Sequence, residues 1–302
     1  MATLSTRNIL ALCLLLLLGT ACEDVINVDI EESNPVLIVD AWITNQPGAQ
    51  NVRLIRSQGY LNNTFNPPVT GATVTISDDA GNTFVFADAG NGDYTWQPDS
   101  TEVLGQIGRN YVLNIALDGE NYSAVSAINE VPPIDSLSFE YREEELGSPE
   151  GYYGQVYARD LVGPGDCYWI KTWKNDTLLN KPLELIIAYD ASFSAGANTD
   201  GTTFILPIRE GINPIDDTEA TNDDEAPYAP GDEAYVELHA ITQESFYFLQ
   251  QLQIQTVNGG LFAVPATNVP GNVFNTDPNS TEAVQGWFGC SAVNSARKTV
   301  VE

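Results

Sequence analysis

Cys22 is the residue best placed for a defined chemistry. It directly follows Gly19-Thr20-Ala21, small side chains that fit a signal-peptidase groove, so its thiol is positioned to accept a diacylglycerol before cleavage between Ala21 and Cys22. One charge, Arg7, and the apolar run from Ile9 to Leu18 precede it. Such a run makes a helix of ~15 Å, about half of a hydrocarbon core, so residues 1–21 read as a signal peptide rather than a spanning segment. Acyl chains contribute ~0.8 kcal/mol per buried CH₂, and several of them would make attachment effectively permanent. The alternative is an ordinary secretory cut that leaves Cys22 as a free thiol.

The other reactive types are sparse. With Cys13 removed and Cys22 lipidated, Cys167 and Cys290 remain as the possible disulfide of an exported chain. His239 is the only histidine, which excludes multi-histidine zinc sites, and neither Cys-x-x-Cys nor His-Glu-x-x-His occurs. A serine triad would have to use His239. Gly289-Cys290-Ser291 only hints at a nucleophile elbow and lacks its second glycine. Asp216, Asp217, Asp223, Asp224 and Glu225 offer the hard oxygens that Ca²⁺ takes, without EF-hand spacing, and a solvated loop is the simpler reading. Carboxylate pairs could serve glycoside hydrolysis, but among 41 acids close pairs arise by chance. Trp42, Trp96, Trp169 and Trp173 could form stacking platforms, although aromatics of this kind more often fill a core. No cofactor is expected.

The charge balance is lopsided: 41 acidic against 12 basic residues give a formal net charge of −29. That surface repels phosphate backbones, so nucleic acid is not an expected partner. Hydrophobic residues make up 43% of the chain, enough for packed cores, and the length suggests two domains.

These residues must be carried on strands. After an acidic tether over residues 22–34, short alternating runs separated by turn residues occupy 35–131, the pattern of an antiparallel, immunoglobulin-like or transthyretin-like sandwich. Ala72, Val74 and Ile76 alternate with Thr73 and Thr75, and Asp78-Asp79-Ala80-Gly81-Asn82 then closes a hairpin. Pro132-Pro133 stiffens the chain into a boundary. Residues 132–302 read as a second β-rich domain with one helix near 242–255, capped by Thr242 and with Phe248, Leu249 and Leu252 as its apolar stripe. In the strand around Tyr235 to Ala240, His239 shares a face with Tyr235 and Glu237.

Several segments together resemble a Bacteroidota lipoprotein family catalogued as domain of unknown function 4249. They are Cys22-Glu23-Asp24-Val25-Ile26, Pro35-Val36-Leu37-Ile38-Val39, Gly71-Ala72-Thr73-Val74, Ile241-Thr242 through Leu249, Gly260-Leu261-Phe262 with Pro265, Asn268-Val269-Pro270-Gly271-Asn272-Val273, and Gly286-Trp287-Phe288. Gly19 stands where a leucine is usual, and lipoproteins of that phylum are similar to this looser pattern. Glu23 and Asp24 behind the cysteine resemble a surface-export signal. Asp135-Ser136-Leu137 and Asp176-Thr177-Leu178 are similar to O-glycosylation sites of exported proteins from that phylum. The resemblance implies a lipid-anchored outer-membrane protein facing the exterior, accessory to a TonB-dependent barrel transporter or to other lipoproteins. It carries over no catalytic or binding residue. From the residues themselves, prolines and glycines impose turns and Asn272 can satisfy exposed backbone groups. The expected function is a non-catalytic binding or assembly module. The alternatives are a carboxylate-dependent hydrolase of glycans or peptides and a purely structural envelope protein.

Overall fold

In the first strand of the body, Leu37, Val39, Ala41 and Ile43 are fully buried while Asp40 is exposed and Trp42 and Thr44 are half-buried. This period of two is the geometry of a strand whose faces meet different surroundings. The same alternation recurs in several strands of the first half, and the described residues are mostly β. The structure is a computed structural model that describes residues 34–302 apart from 60, 61, 63, 100–103, 146, 147, 217–223, 259–262, 264 and 266. Ala21, Cys22, the signal peptide and the tether through residue 33 lie outside the described residues.

The alternating runs of the first half form seven strands: β1 (Leu37–Thr44), β2 (Gln50–Arg56), β3 (Thr73–Asp78), β4 (Thr83–Asp88), β5 (Asp93–Trp96), β6 (Asn110–Leu117) and β7 (Glu120–Ala127). The β3–β4 hairpin is closed by Asp78, whose carboxylate accepts from the backbone N–H groups of Ala80 (3.0 Å) and Asn82 (2.9 Å). The second half supplies β8 (Ile134–Arg142), β9 (Gly151–Ala158), β10 (Cys167–Lys174), β11 (Thr177–Leu178), β12 (Ile186–Tyr189), β13 (Ile215–Asp216), β14 (Asp224–Glu225), β15 (Glu233–Ile241), β16 (Phe274–Asn275) and β17 (Val284–Thr299). Among the described residues two α-helices accompany them, α1 (Leu206–Glu210) and α2 (Gln243–Thr256).

Thirteen strands form one mixed sheet in the order β11-β10-β15-β17-β1-β2-β5-β4-β3-β6-β7-β16, with β12 also on β10. Its seam is the 16-residue β17. Residues 284–291 run parallel to β1, and residues 292–299 run antiparallel to β15. Phe288, Cys290 and Ala292 therefore belong to the sandwich core built with Leu54, Tyr94 and Leu113, while Ala296 packs on a second core. That second core holds Tyr168, Ile170, Val236 and Leu238 under β9 and α1. Val131, at the expected boundary, packs against both. The sandwich core of residues 35–131 is thus completed by Val273 and β17 from residues 132–302, the two stretches share a backbone ladder, and Pro35–Glu302 is one compact unit.

Packing at β17 explains the glycines of the tail. A Cβ on Gly286 would meet the Val39 carbonyl oxygen at 1.9 Å, at a φ of +114° that disfavours other residues. Asn272 completes the unpaired side of β17: its Nδ2 donates to the Phe288 carbonyl at 2.8 Å, and its Oδ1 accepts from the Phe288 N–H at 2.8 Å. Ser126 Oγ accepts from the Cys290 N–H at 3.0 Å. Side chains here stand in for a missing strand.

Helix α2 begins where expected, with Thr242 Oγ1 accepting from Ser245 N at 3.2 Å. Its buried residues are Ser245, Phe246 and Leu249. This differs from the expected stripe, because Leu252 is 37% exposed and Phe248 instead stacks on Trp287 with centroids 4.4 Å apart. A near-parallel aromatic partner on β17 turns the buried side of the helix away from Leu252.

Candidate functional site on the uncovered sheet face

One face of the central sheet is covered by the rest of the body. The opposite face of β10, β15, β17, β1 and β2 carries Trp173, Lys171 and Trp169; Tyr235, Glu237 and His239; Ser291 and Gly289; Trp42 and Asp40; and Arg53. Among the described residues helix α2 covers one end of it, over Cys167, Ile241, Phe246 and Leu249 with Trp42 and Trp169 at the margin. Beyond that margin Trp173, Tyr235 and Lys171 are half-buried and Asp40 is exposed.

This face is concave. Trp42 and Trp169 stand on strands three spacings apart, about 14 Å, yet their ring centroids lie 5.1 Å apart. Gly289 permits this: a Cβ there would lie 2.3 Å from the Trp42 ring, so the bare backbone lets the indole lean across β17. On one side of the Trp pair is a hollow of about 430 Å³ lined by Asp40, Thr44, Gln46, Asn51, Arg53 and Asp93. On the other is a groove of about 230 Å³ between Lys171, Leu178, Leu185 and Leu252.

The floor is charged. The Lys171 ammonium lies 4.9 Å from the Trp169 ring centre and 5.4 Å from that of Trp173, a cation–π arrangement. Burial lowers its pKa, opposed by Glu237 and Asp40. The surrounding protein raises Asp40 above the usual carboxylate range, opposed by Arg53 and Lys171. Burial would also raise Glu237, but hydrogen bonds from His239 and Tyr235 outweigh it and hold the carboxyl at about 2. Tyr235 Oη donates to Glu237 Oε1 at 2.8 Å, as does Gln46 Nε2 at 3.1 Å.

Behind this floor Ser291, His239 and Glu237 form a row. His239 Nε2 lies 2.9 Å from Glu237 Oε2, and Nδ1 lies 2.9 Å from Ser291 Oγ. Burial lowers the His239 pKa, so the neutral ring places its proton on Nε2 toward the ionised carboxylate and accepts the Ser291 hydroxyl proton at Nδ1. The residue types are those of a hydrolase triad, but Ser291 is 0% exposed and His239 4%. In this arrangement the row is a strut joining β15 to β17, with no open path to the serine.

The expected disulfide is not formed: Cys167 and Cys290 are both free and buried. Cys167 pairs with Ile241 on β15, which separates β10 from β17, so the two cysteines stand two strand spacings apart. That is about 10 Å, beyond the reach of a disulfide of about 7 Å. They also serve different cores, and burial pushes the Cys167 thiol up to about 12 and Cys290 upward as well.

Of the acids considered for Ca²⁺, Asp217 and Asp223 lie outside the described residues. Asp216 and Asp224 oppose each other in the β13–β14 ladder, and Glu225 accepts from Asn213 Nδ2 at 3.2 Å. Among the described residues no group of three or more His, Cys, Asp or Glu side chains could hold a metal ion. Trp96 is a core residue, edge-on to Phe84, whereas Trp42, Trp169 and Trp173 line the open face. Sequence reasoning missed Asp40, Lys171 and Arg53. Their signal was a charge at the period-two position of an otherwise aliphatic strand, as in Ile38-Val39-Asp40-Ala41. No helix among the described residues is long and apolar enough to cross a membrane.

No curated protein matches the chain. Residues 23–297 match the profile of the family described as Domain of unknown function (DUF4249), and the chain belongs to that family.

Proposed function

We propose that this protein is an exported lipoprotein, tethered through a diacylglyceryl group on Cys22 to the exterior face of an outer membrane. Its body acts there as a non-catalytic binding or assembly module beside a barrel transporter. The observation that supports the binding role is the concave sheet face, where aromatic and charged side chains stand in the open at positions that an apolar cover would otherwise occupy. Evolved surfaces rarely keep half-exposed indoles in a cluster without a partner for them. The acidic residues behind Cys22 and the lipobox support the tether.

Protease shaving of intact cells, combined with Cys22→Ser, tests the anchor. The wild type is expected to be cleaved from outside and the variant to leave the membrane fraction. Crosslinking before detergent extraction tests the assembly role, with an outer-membrane barrel expected in the product. Recovery of the chain alone would sink that part.

One observation favours a second reading. Asp40 is raised and Glu237 depressed on the same face, and carboxyls pushed apart in pKa are the mark of acid and base partners in glycoside or peptide hydrolysis. Against it, Glu237 is committed to three donors and held at about 2, which makes it a weak base. Turnover of a glycan or peptide abolished by Asp40→Asn would establish the hydrolase instead.

A further inference from the structure

We propose that the hollow between the β8–β9 hairpin and residues 227–230 binds a small organic ammonium ion, best a quaternary one, with the rings of Tyr141 and Tyr152 as its walls. The site shares no lining residue with the open sheet face and goes beyond the role given above.

The walls follow from register. Tyr141 and Tyr152 oppose each other directly in the β8–β9 ladder, so both side chains leave the hairpin on one face. Their ring centroids lie 5.3 Å apart with 69° between the planes, which makes two sides of a box rather than a closed stack. Tyr141 is 52% exposed at the mouth, and Tyr228 is fully buried beneath. Tyr152 N–H donates to the Tyr228 carbonyl at 3.2 Å, and Tyr228 N–H donates back to the Tyr152 carbonyl at 2.8 Å, which fixes the hairpin to this floor. Gly151 lets Pro227 close against the hairpin, since a Cβ there would meet Pro227 Cβ at 2.4 Å. The enclosed volume is about 520 Å³, within the ~300–1,000 Å³ range of small-ligand sites.

The chemistry of the lining selects a cation. It carries two carboxylates, Glu150 and Glu302, and neither lysine nor arginine. Tyr141 Oη donates to Glu150 Oε2 at 3.3 Å, which keeps that carboxylate beside the exposed ring. Aromatic faces attract cations through their quadrupole, and aromatic boxes suit quaternary ammonium ions, which need no hydrogen-bond partner. The same cluster already holds one ammonium on its inner side: Lys174 Nζ lies 4.9 Å from the Tyr228 ring centre, its charge matched by Asp232 at 3.0 Å. Arg142 alternates with Tyr141 along β8 and is tied to Glu210 instead. An anion would meet both carboxylates, and a neutral ligand of the same shape would gain contact with the rings alone. A phosphocholine headgroup brings its phosphate toward Glu150 and Glu302, which favours the free cation over a lipid.

The test is calorimetric titration of the lipidated full chain, extracted in a maltoside detergent, with choline, its neutral carbon isostere dimethylbutanol, and phosphocholine. Choline is expected to bind at millimolar concentration or below, and the other two at least about tenfold more weakly. Tyr141→Leu and Glu150→Gln, both at exposed positions, are each expected to weaken choline by at least about fivefold. Asp40→Ala on the open sheet face is expected to leave it unchanged. Melting curves of the variants show that loss of binding is not loss of fold. The proposal is overturned if choline does not bind, if dimethylbutanol binds as tightly, or if binding ignores both substitutions. Tighter binding of phosphocholine than of choline overturns it as well and assigns the hollow to a lipid headgroup. Failure here with a barrel still captured by crosslinking leaves the assembly role standing.

Discussion

The two faces of the central sheet are built from alternate residues of the same strands, and they are opposites. On β1, Leu37, Val39, Ala41 and Ile43 close onto the sandwich core, and one residue away Asp40 and Trp42 stand over an open hollow. On β15, Val236 and Leu238 close onto the second core, while Tyr235, Glu237 and His239 form the hydrogen-bonded floor. The covered face holds the fold together by burial of aliphatic and aromatic area. The opposite face instead carries half-buried aromatic rings and charged side chains.

The largest effect expected from this contrast is on the covered side. Phe288→Ala empties a fully buried site in the sandwich core and is expected to cost about 3–5 kcal/mol in denaturant unfolding. The contrast breaks if Asp40→Ala costs as much.

Next comes the buried strut. Glu237 is depressed from 4.5 to about 2 in the folded state, so its contribution is present above pH ~4.5 and lost as pH falls toward 2. The amount is about 2–3 kcal/mol, at about 1.4 kcal/mol for each tenfold change in proton affinity. Glu237→Gln is expected to flatten that acid limb in melts recorded between pH 5 and 2. An unchanged limb would mean that the carboxylate is not held as described.

Asp166 should show the opposite sign. Burial first, and then the carboxylates of Asp160, Asp190 and Asp200, raise it from 3.8 to about 6. Its ionised form therefore opposes folding above pH ~6, and the penalty disappears as pH falls from 6 toward 4. Asp166→Asn is expected to stabilise the protein by about 1–2 kcal/mol at pH 7, solvent screening included, and by little at pH 4. A variant no more stable at neutral pH would contradict the crowding of these acids.

The smallest expected stability effect is that of Asp40→Ala, within about 0.5 kcal/mol of wild type, because Asp40 is exposed and makes no hydrogen bond among the described residues. That small cost beside the large one of Phe288→Ala is the sharpest form of the contrast between faces.

Much of the fold was legible because strand alternation is local. Ala72, Val74 and Ile76 against Thr73 and Thr75 predict β3 from a handful of residues, and Asp78 to Asn82 carry their own turn chemistry. The site was less legible. His239 was visible as a lone histidine, but its partner Ser291 lies 52 positions away and met it only through the β15–β17 ladder. Cys167 and Cys290 looked like a pair by elimination, and an intervening strand keeps them apart.

What the sequence determined by itself is which residues share a face, where the turns fall and where α2 begins. These follow from periodicity and from contacts over a few residues. Only the tertiary structure decided which face is left uncovered. That depended on β17 running parallel to β1 and then antiparallel to β15, and on Gly289 letting Trp42 cross it toward Trp169. Such pairings join strands far apart in the chain. Their free energy comes from packing that no local pattern encodes.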